Sequence, residues 1–93
     1  MHVELLAVTF HLPGCRSLKD KRRALSGLRD RFGKQTNMAV CESDFQNEHQ
    51  RAQWTFIAAS SDSSVVDSML NAVNDFLDSE IDAVVVDVAR EEL

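Results

Sequence analysis

Hydrophobic periodicity changes along this chain in an order that few compact folds can accommodate. Residues 2–12 alternate, with Leu6, Val8 and Phe10 on one side and Val3, Leu5, Ala7 and Thr9 on the other, the period of a strand. From Leu18 the period becomes helical, and Leu18, Leu25, Leu28 and Phe32 form one apolar stripe over about 17–33. Alternation returns at 36–45, where Met38, Val40, Glu42 and Asp44 oppose Ala39, Cys41, Ser43 and Phe45. It resumes at 51–59, where Trp54, Phe56 and Ala58 oppose Thr55, Ile57 and Ala59. Val65, Val66, Met69, Leu70, Val73, Phe76 and Leu77 line a second helix over about 63–79, and valine-rich 82–90 reads as a last strand. The order βαββαβ with short connections predicts an α+β, ferredoxin-like two-layer sandwich. Its antiparallel sheet would have spatial order 4-1-3-2, with both helices on one face.

Local signals agree with those boundaries. Pro13-Gly14 turns the chain, and Ser17 with Asp20 three residues on forms a short version of a capping box. Gly33 is placed to stop the helix, with Lys34 at the negative end of its dipole. The run Ser60-Ser61-Asp62-Ser63-Ser64 is a loop that ends in an N-cap.

With 93 residues, 44% of them hydrophobic, the chain can feed one core, so a single domain over 1–93 is expected. No apolar run approaches the ~20 residues of a membrane span, and an apolar alternation begins at the amino terminus without a basic leader. Cys15 and Cys41 fit no metal-ligand spacing and imply no oxidising compartment. A cytoplasmic protein without membrane contact, metal or cofactor is expected.

Charge is segregated. The net charge is −5, yet residues 16–34 carry eight basic and two acidic residues, whereas 35–93 carry two basic and twelve acidic. An acidic body of this kind repels a bulk polyanion, so the chain reads as one basic helix on an acidic domain.

In the expected topology the turn 11–17 and the loop 45–51 become neighbours. His11, Cys15, Arg16, His49 and Arg51 gather there beside the first helical turn, and a helix amino terminus flanked by arginines attracts anions. The same grouping arises when polar residues simply collect at a solvated sheet edge. Along the helix, Lys19, Arg22 and Arg23 join Arg16 and Arg51 as phosphate-contacting candidates, although a charge run is more often a solvated face. Arg16 and the helix start are expected to lower the Cys15 thiol pKa, and a nucleophile there would need His11 or His49 as base. Lys21 falls inside the apolar arc of its helix, where it either pairs with Glu42 on the second strand or snorkels past the helix edge. Trp54 and Phe56 lack the basic and glycine residues of an RNA-recognition strand and read as core.

Two segments carry a resemblance. SLKDKRRAL at 17–25, after the Pro-Gly turn, together with Glu42, Asp44, Gln46, Gln50, Arg51 and Ala52 in the pattern E-x-D-x-Q-x-x-x-Q-R-A, is similar to the YlxP-like family of small bacterial proteins. The sequence departs from the family pattern at Phe45 and His49, where His and Trp are usual. The resemblance implies a ferredoxin-like fold and a role near RNA or ribosome maturation, with no catalytic residues to carry over. The expectation is therefore a non-enzymatic binding module acting through its first helix. The alternatives are a small phosphate-chemistry enzyme of acylphosphatase-like topology, with Arg16 its only match in the turn, or a protein-interaction module without nucleic-acid contact.

Both sides of the strands are apolar. Leu5, Ala7, Ile57, Ala59, Ala83 and Val85 are as water-averse as Leu6, Val8, Trp54, Phe56, Val84 and Val86, and two helices cover only one face. A homodimer through the open sheet face is expected on this ground.

Overall fold

The alternating segments pair as their periodicity requires. In the computed structural model, which describes residues 1–93, β1 (His2–His11) lies between β3 (Arg51–Ser60) and β4 (Val84–Glu92) and is antiparallel to both. β2 (Met38–Asp44) pairs with the outer side of β3, giving the order β2-β3-β1-β4, the expected 4-1-3-2 read from the other edge. Helices α1 (Leu18–Phe32) and α2 (Ser63–Glu80) pack on one face.

One core lies between the layers. Leu6, Val8, Phe10, Ala52, Trp54, Phe56 and Ala58 point into it from the sheet, against Leu25, Leu28 and Phe32 of α1 and Val66, Leu70, Val73 and Leu77 of α2. Each large apolar side chain so buried contributes about 1.5–3 kcal/mol. Phe32 joins the layers, edge-on to Phe56 at 6.0 Å and to Phe76 at 5.4 Å between ring centroids. The helices meet at Gly27, where an added Cβ would stand 3.2 Å from the Phe76 ring. Trp54 and Phe56 lie beneath the helices and offer no stacking platform on the open face.

Two β-bulges correct the expected strand faces. Phe10 pairs with Val85 and Thr9 with Asp87, so Val86 is an extra residue and the alternation of β4 reverses there. Val85 and Ala83 pack against the core instead of joining Leu5 and Ile57, while Val84 and Val86 are exposed. In β2, Glu42 opposes Trp54 but Asp44 opposes Gln53, so Ser43 is the extra residue and Asp44 leaves the face of Glu42. Val65 is likewise outside the buried stripe of α2, at 40% exposure.

The open face is mixed. Val3, Leu5, Ala7, Ile57 and Ala59 form a half-buried apolar strip, with Thr9, Gln53 and Thr55 at one end. On the β4 edge, Asp87, Ala89 and Glu91 lie opposite Thr9, Ala7 and Leu5. No helix is long and apolar enough to cross a membrane.

Candidate functional site

The start of α1 is capped from within. Ser17 is extended and its Oγ accepts from the Asp20 backbone N–H at 3.0 Å, while the Asp20 carboxylate accepts from the Arg16 N–H at 3.0 Å. The carboxylate takes the N–H before the N-cap in place of the N-cap N–H of the usual box. A carboxylate thus stands where the helix dipole would draw an external anion. The expected anion seat beside this turn is already supplied with its own anion.

One turn on, Lys21 is 2% exposed, and its ammonium sits in a cage of oxygens. Nζ lies 3.2 Å from the Glu42 carboxylate and donates to the carbonyls of Phe45 at 2.9 Å, Arg51 at 3.2 Å and Gln46 at 3.4 Å. The two readings of Lys21 are thereby separated: it meets Glu42 and does not snorkel. The cage extends beyond that pair, because the loop between β2 and β3 wraps its backbone around the cation. Phe45 adopts φ 62°, a left-handed conformation costly for a bulky residue. It is held by the Asp44 carboxylate on its N–H at 2.8 Å, by Lys21 on its carbonyl, and by the Arg51 guanidinium 3.7 Å above its ring.

The rest of the second motif has comparable duties. Gln46 donates to the Glu42 carbonyl, and Gln50 donates to the carbonyls of Pro13 and Cys15, fastening the Pro-Gly turn to the loop. Leu12 N–H donates to the Gln50 carbonyl at 2.9 Å, and Ala52 is fully buried. Both motifs therefore converge on Lys21 and hold α1, the turn and the loop together. What they leave over is Lys19, Arg22 and Arg23, all exposed and none in an ion pair.

That contrast extends to the whole chain. Arg51 leans on Phe45 and Glu48, and Arg90 bridges Glu4, Asp67 and Asn71, tying β4 to β1 and α2. Arg16, Lys19, Arg22, Arg23, Arg29, Arg31 and Lys34 form no ion pair, and all belong to α1 and its flanks.

The candidate residues do not form one site. Arg16 borders a shallow cleft with Asn47, Glu48 and His49. Arg23 lines a different cleft, with Cys15, Asp20, Glu80 and Asp82. Arg22 lines a groove of ≈ 360 Å3 between α1 and β2, with Lys21, Leu25, Ser26, Arg29, Asp30, Glu42 and Trp54. Arg29 was not among the sequence-predicted residues, yet its guanidinium lies 5.4 Å from the Trp54 ring centroid. Its seven-residue spacing from Arg22 marks the two as sharing a helix flank, a signal available in the sequence. Cys15 is buried, and its thiol pKa is raised, first by burial and then by Asp20 and Asp82, with Lys21 opposing. The expected activation of this thiol is thus reversed, because loss of water, with Asp20 and Asp82, outweighs Lys21.

Compared with protein-family models, residues 3–90 match the one described as "Protein of unknown function (DUF503)". No curated protein matches the chain significantly.

Proposed function

The chain belongs to the DUF503 family, whose function is unknown, and on that footing we propose that it is a non-enzymatic module that binds phosphate groups of RNA through α1. One observation carries this reading. The seven cations without ion pairs all lie at 16–34, whereas the acidic body uses its own two arginines internally. By helical angle Arg29, Arg22, Lys19 and Arg23 share one exposed arc of α1, interrupted by Ser26 and Asp30, which suits a single strand better than a duplex groove. The YlxP-like reading of the two motifs, with its link to ribosome maturation, belongs to the same proposal.

Binding to a labelled single-stranded RNA at several salt concentrations tests it. With about three phosphates contacted, log K should fall with log salt at a slope near −2, at ~0.7 per phosphate. Lys19→Glu with Arg23→Glu should abolish binding while the circular dichroism spectrum persists. Unchanged RNA association in that folded variant would remove α1 from the reading.

The open sheet face is the proposed contact between two copies, supported by the strip Val3, Leu5, Ala7, Ile57 and Ala59. The flat area available is on the order of 400 Å2 per copy, below the ~800 Å2 per partner of standard interfaces, so the dimer is weak. Light scattering should show the mean mass rising with concentration. A constant monomer mass that also binds no hydrophobic dye would end this proposal.

A further inference from the structure

The groove beside Arg22 is lined by a residue that carries an unmet donor. Trp54 Nε1 is the one buried side-chain nitrogen or oxygen without a hydrogen-bond partner, on a residue 6% exposed. Buried donors are nearly always paired, so an orphan beside a groove asks for an acceptor. The Glu42 carboxylate, on the residue that opposes Trp54 across the sheet, pairs with Lys21 and accepts nothing from the indole.

We propose that the groove between α1 and β2 seats one nucleotide unit. Arg22 and Arg29 take its phosphate oxygens, and the Trp54 N–H donates to a ligand acceptor once Arg29 lifts from the ring. This rests on the reading that the ligand carries phosphate, and deepens it. The N–H has no accessible surface, and the side chain over its ring is Arg29, exposed and in no ion pair, so it is free to move aside. Among the lining groups, Lys21 and Glu42 satisfy each other, and the Ser26 hydroxyl donates to the Arg23 carbonyl. What remains free is two guanidinium groups and the indole N–H against one carboxylate, Asp30. Donors in that excess select an anionic acceptor, and planar guanidinium groups match phosphate oxygens in pairs. Arg22 and Arg29 stand about 10 Å apart along the helix axis, near enough for their side chains to converge. A volume of ≈ 360 Å3 is within the ~300–1,000 Å3 of small-molecule sites and exceeds the need of a bare carboxylate.

The chain has one Trp and no Tyr, so its intrinsic emission reports Trp54 alone. Inorganic phosphate, uridine monophosphate and a short labelled oligouridylate should be titrated at low salt, following tryptophan emission and, for the oligomer, anisotropy. The seat predicts an emission change with the oligomer. A like change with the mononucleotide assigns it to free nucleotides as well, and no change there assigns it to the chain. Arg29→Ala and Trp54→Phe should each weaken oligomer binding roughly tenfold, as for one hydrogen bond to a charged acceptor. Asp30→Asn should tighten it. If anisotropy rises while emission stays constant and Arg29→Ala binds like the parent, the groove is overturned and the α1 reading stands. A response to inorganic phosphate alone also overturns the seat. Absence of any anisotropy change for the oligomer removes both.

Discussion

Lys21 and Trp54 line the same groove, and both are almost fully buried, yet the chain treats their polar atoms in opposite ways. The ammonium of Lys21 is surrounded by one carboxylate and three carbonyls. The indole N–H of Trp54, on the adjoining strand, has no partner. A buried charge can be tolerated only when its partners are complete, so the Lys21 cage has to be structural. A neutral N–H without an acceptor costs less, about 1–3 kcal/mol, and the fold tolerates it. Within the motifs, satisfied and unsatisfied residues are therefore separable. Those around Lys21 satisfy one another, whereas Lys19, Arg22 and Arg23 form no ion pair along α1.

The largest effect that would break this contrast is at Lys21. Lys21→Met should lower stability by about 3–5 kcal/mol, because the Glu42 carboxylate and three loop carbonyls lose their cation together. Denaturant titration of the variant measures it, and a loss within ~0.5 kcal/mol would mean the loop holds itself without the cage. The Lys21–Glu42 pair should show a coupling of roughly 0.5–3 kcal/mol in a double-mutant cycle. Glu42→Gln alone should cost less than Lys21→Met, since the carbonyls still hold the ammonium. Additive losses would show that the carbonyls suffice.

Trp54→Phe should cost only about 1 kcal/mol, because the lost indole area is offset in part by removal of an unmet donor. A loss as large as that of Lys21→Met would mean the N–H already has a partner, such as an ordered water. The smallest effect concerns Cys15. Its folded pKa is raised above the unfolded value, so its contribution is complete below the unfolded pKa and is lost as pH rises through the folded one. Thiol labelling at neutral pH should modify exposed Cys41 first and Cys15 mainly on unfolding. Equal rates would show that the turn beside Gln50 opens freely.

Much of the fold was legible in the residues. Stripes such as Leu25, Leu28 and Phe32, and alternations such as Leu6, Val8 and Phe10, are local properties that need no partner to be read. The Lys21–Glu42 pair was legible only as one of two options, since a cation in an apolar arc can also snorkel to water, and the structure selects the pair. The carbonyl cage was not legible. It depends on the left-handed backbone of Phe45, a conformation that its side chain disfavours and that Asp44, Arg51 and Lys21 impose from outside. The phase of β4 was misread because strict alternation cannot reveal an extra residue at Val86, which is set by pairing with β1.

By itself, then, the sequence determined the element order, the single two-layer core and the gathering of cations at 16–34, because periodicity and charge act over short stretches of chain. Only the tertiary structure decided that Asp20 fills the helix start, that Arg22 and Arg29 share a groove with Trp54, and that one indole N–H in that groove goes unmet. The physical reason is that hydrogen-bond satisfaction belongs to contacts between distant segments. Whether a polar side chain is structural or available is settled by the partners that the fold brings within reach.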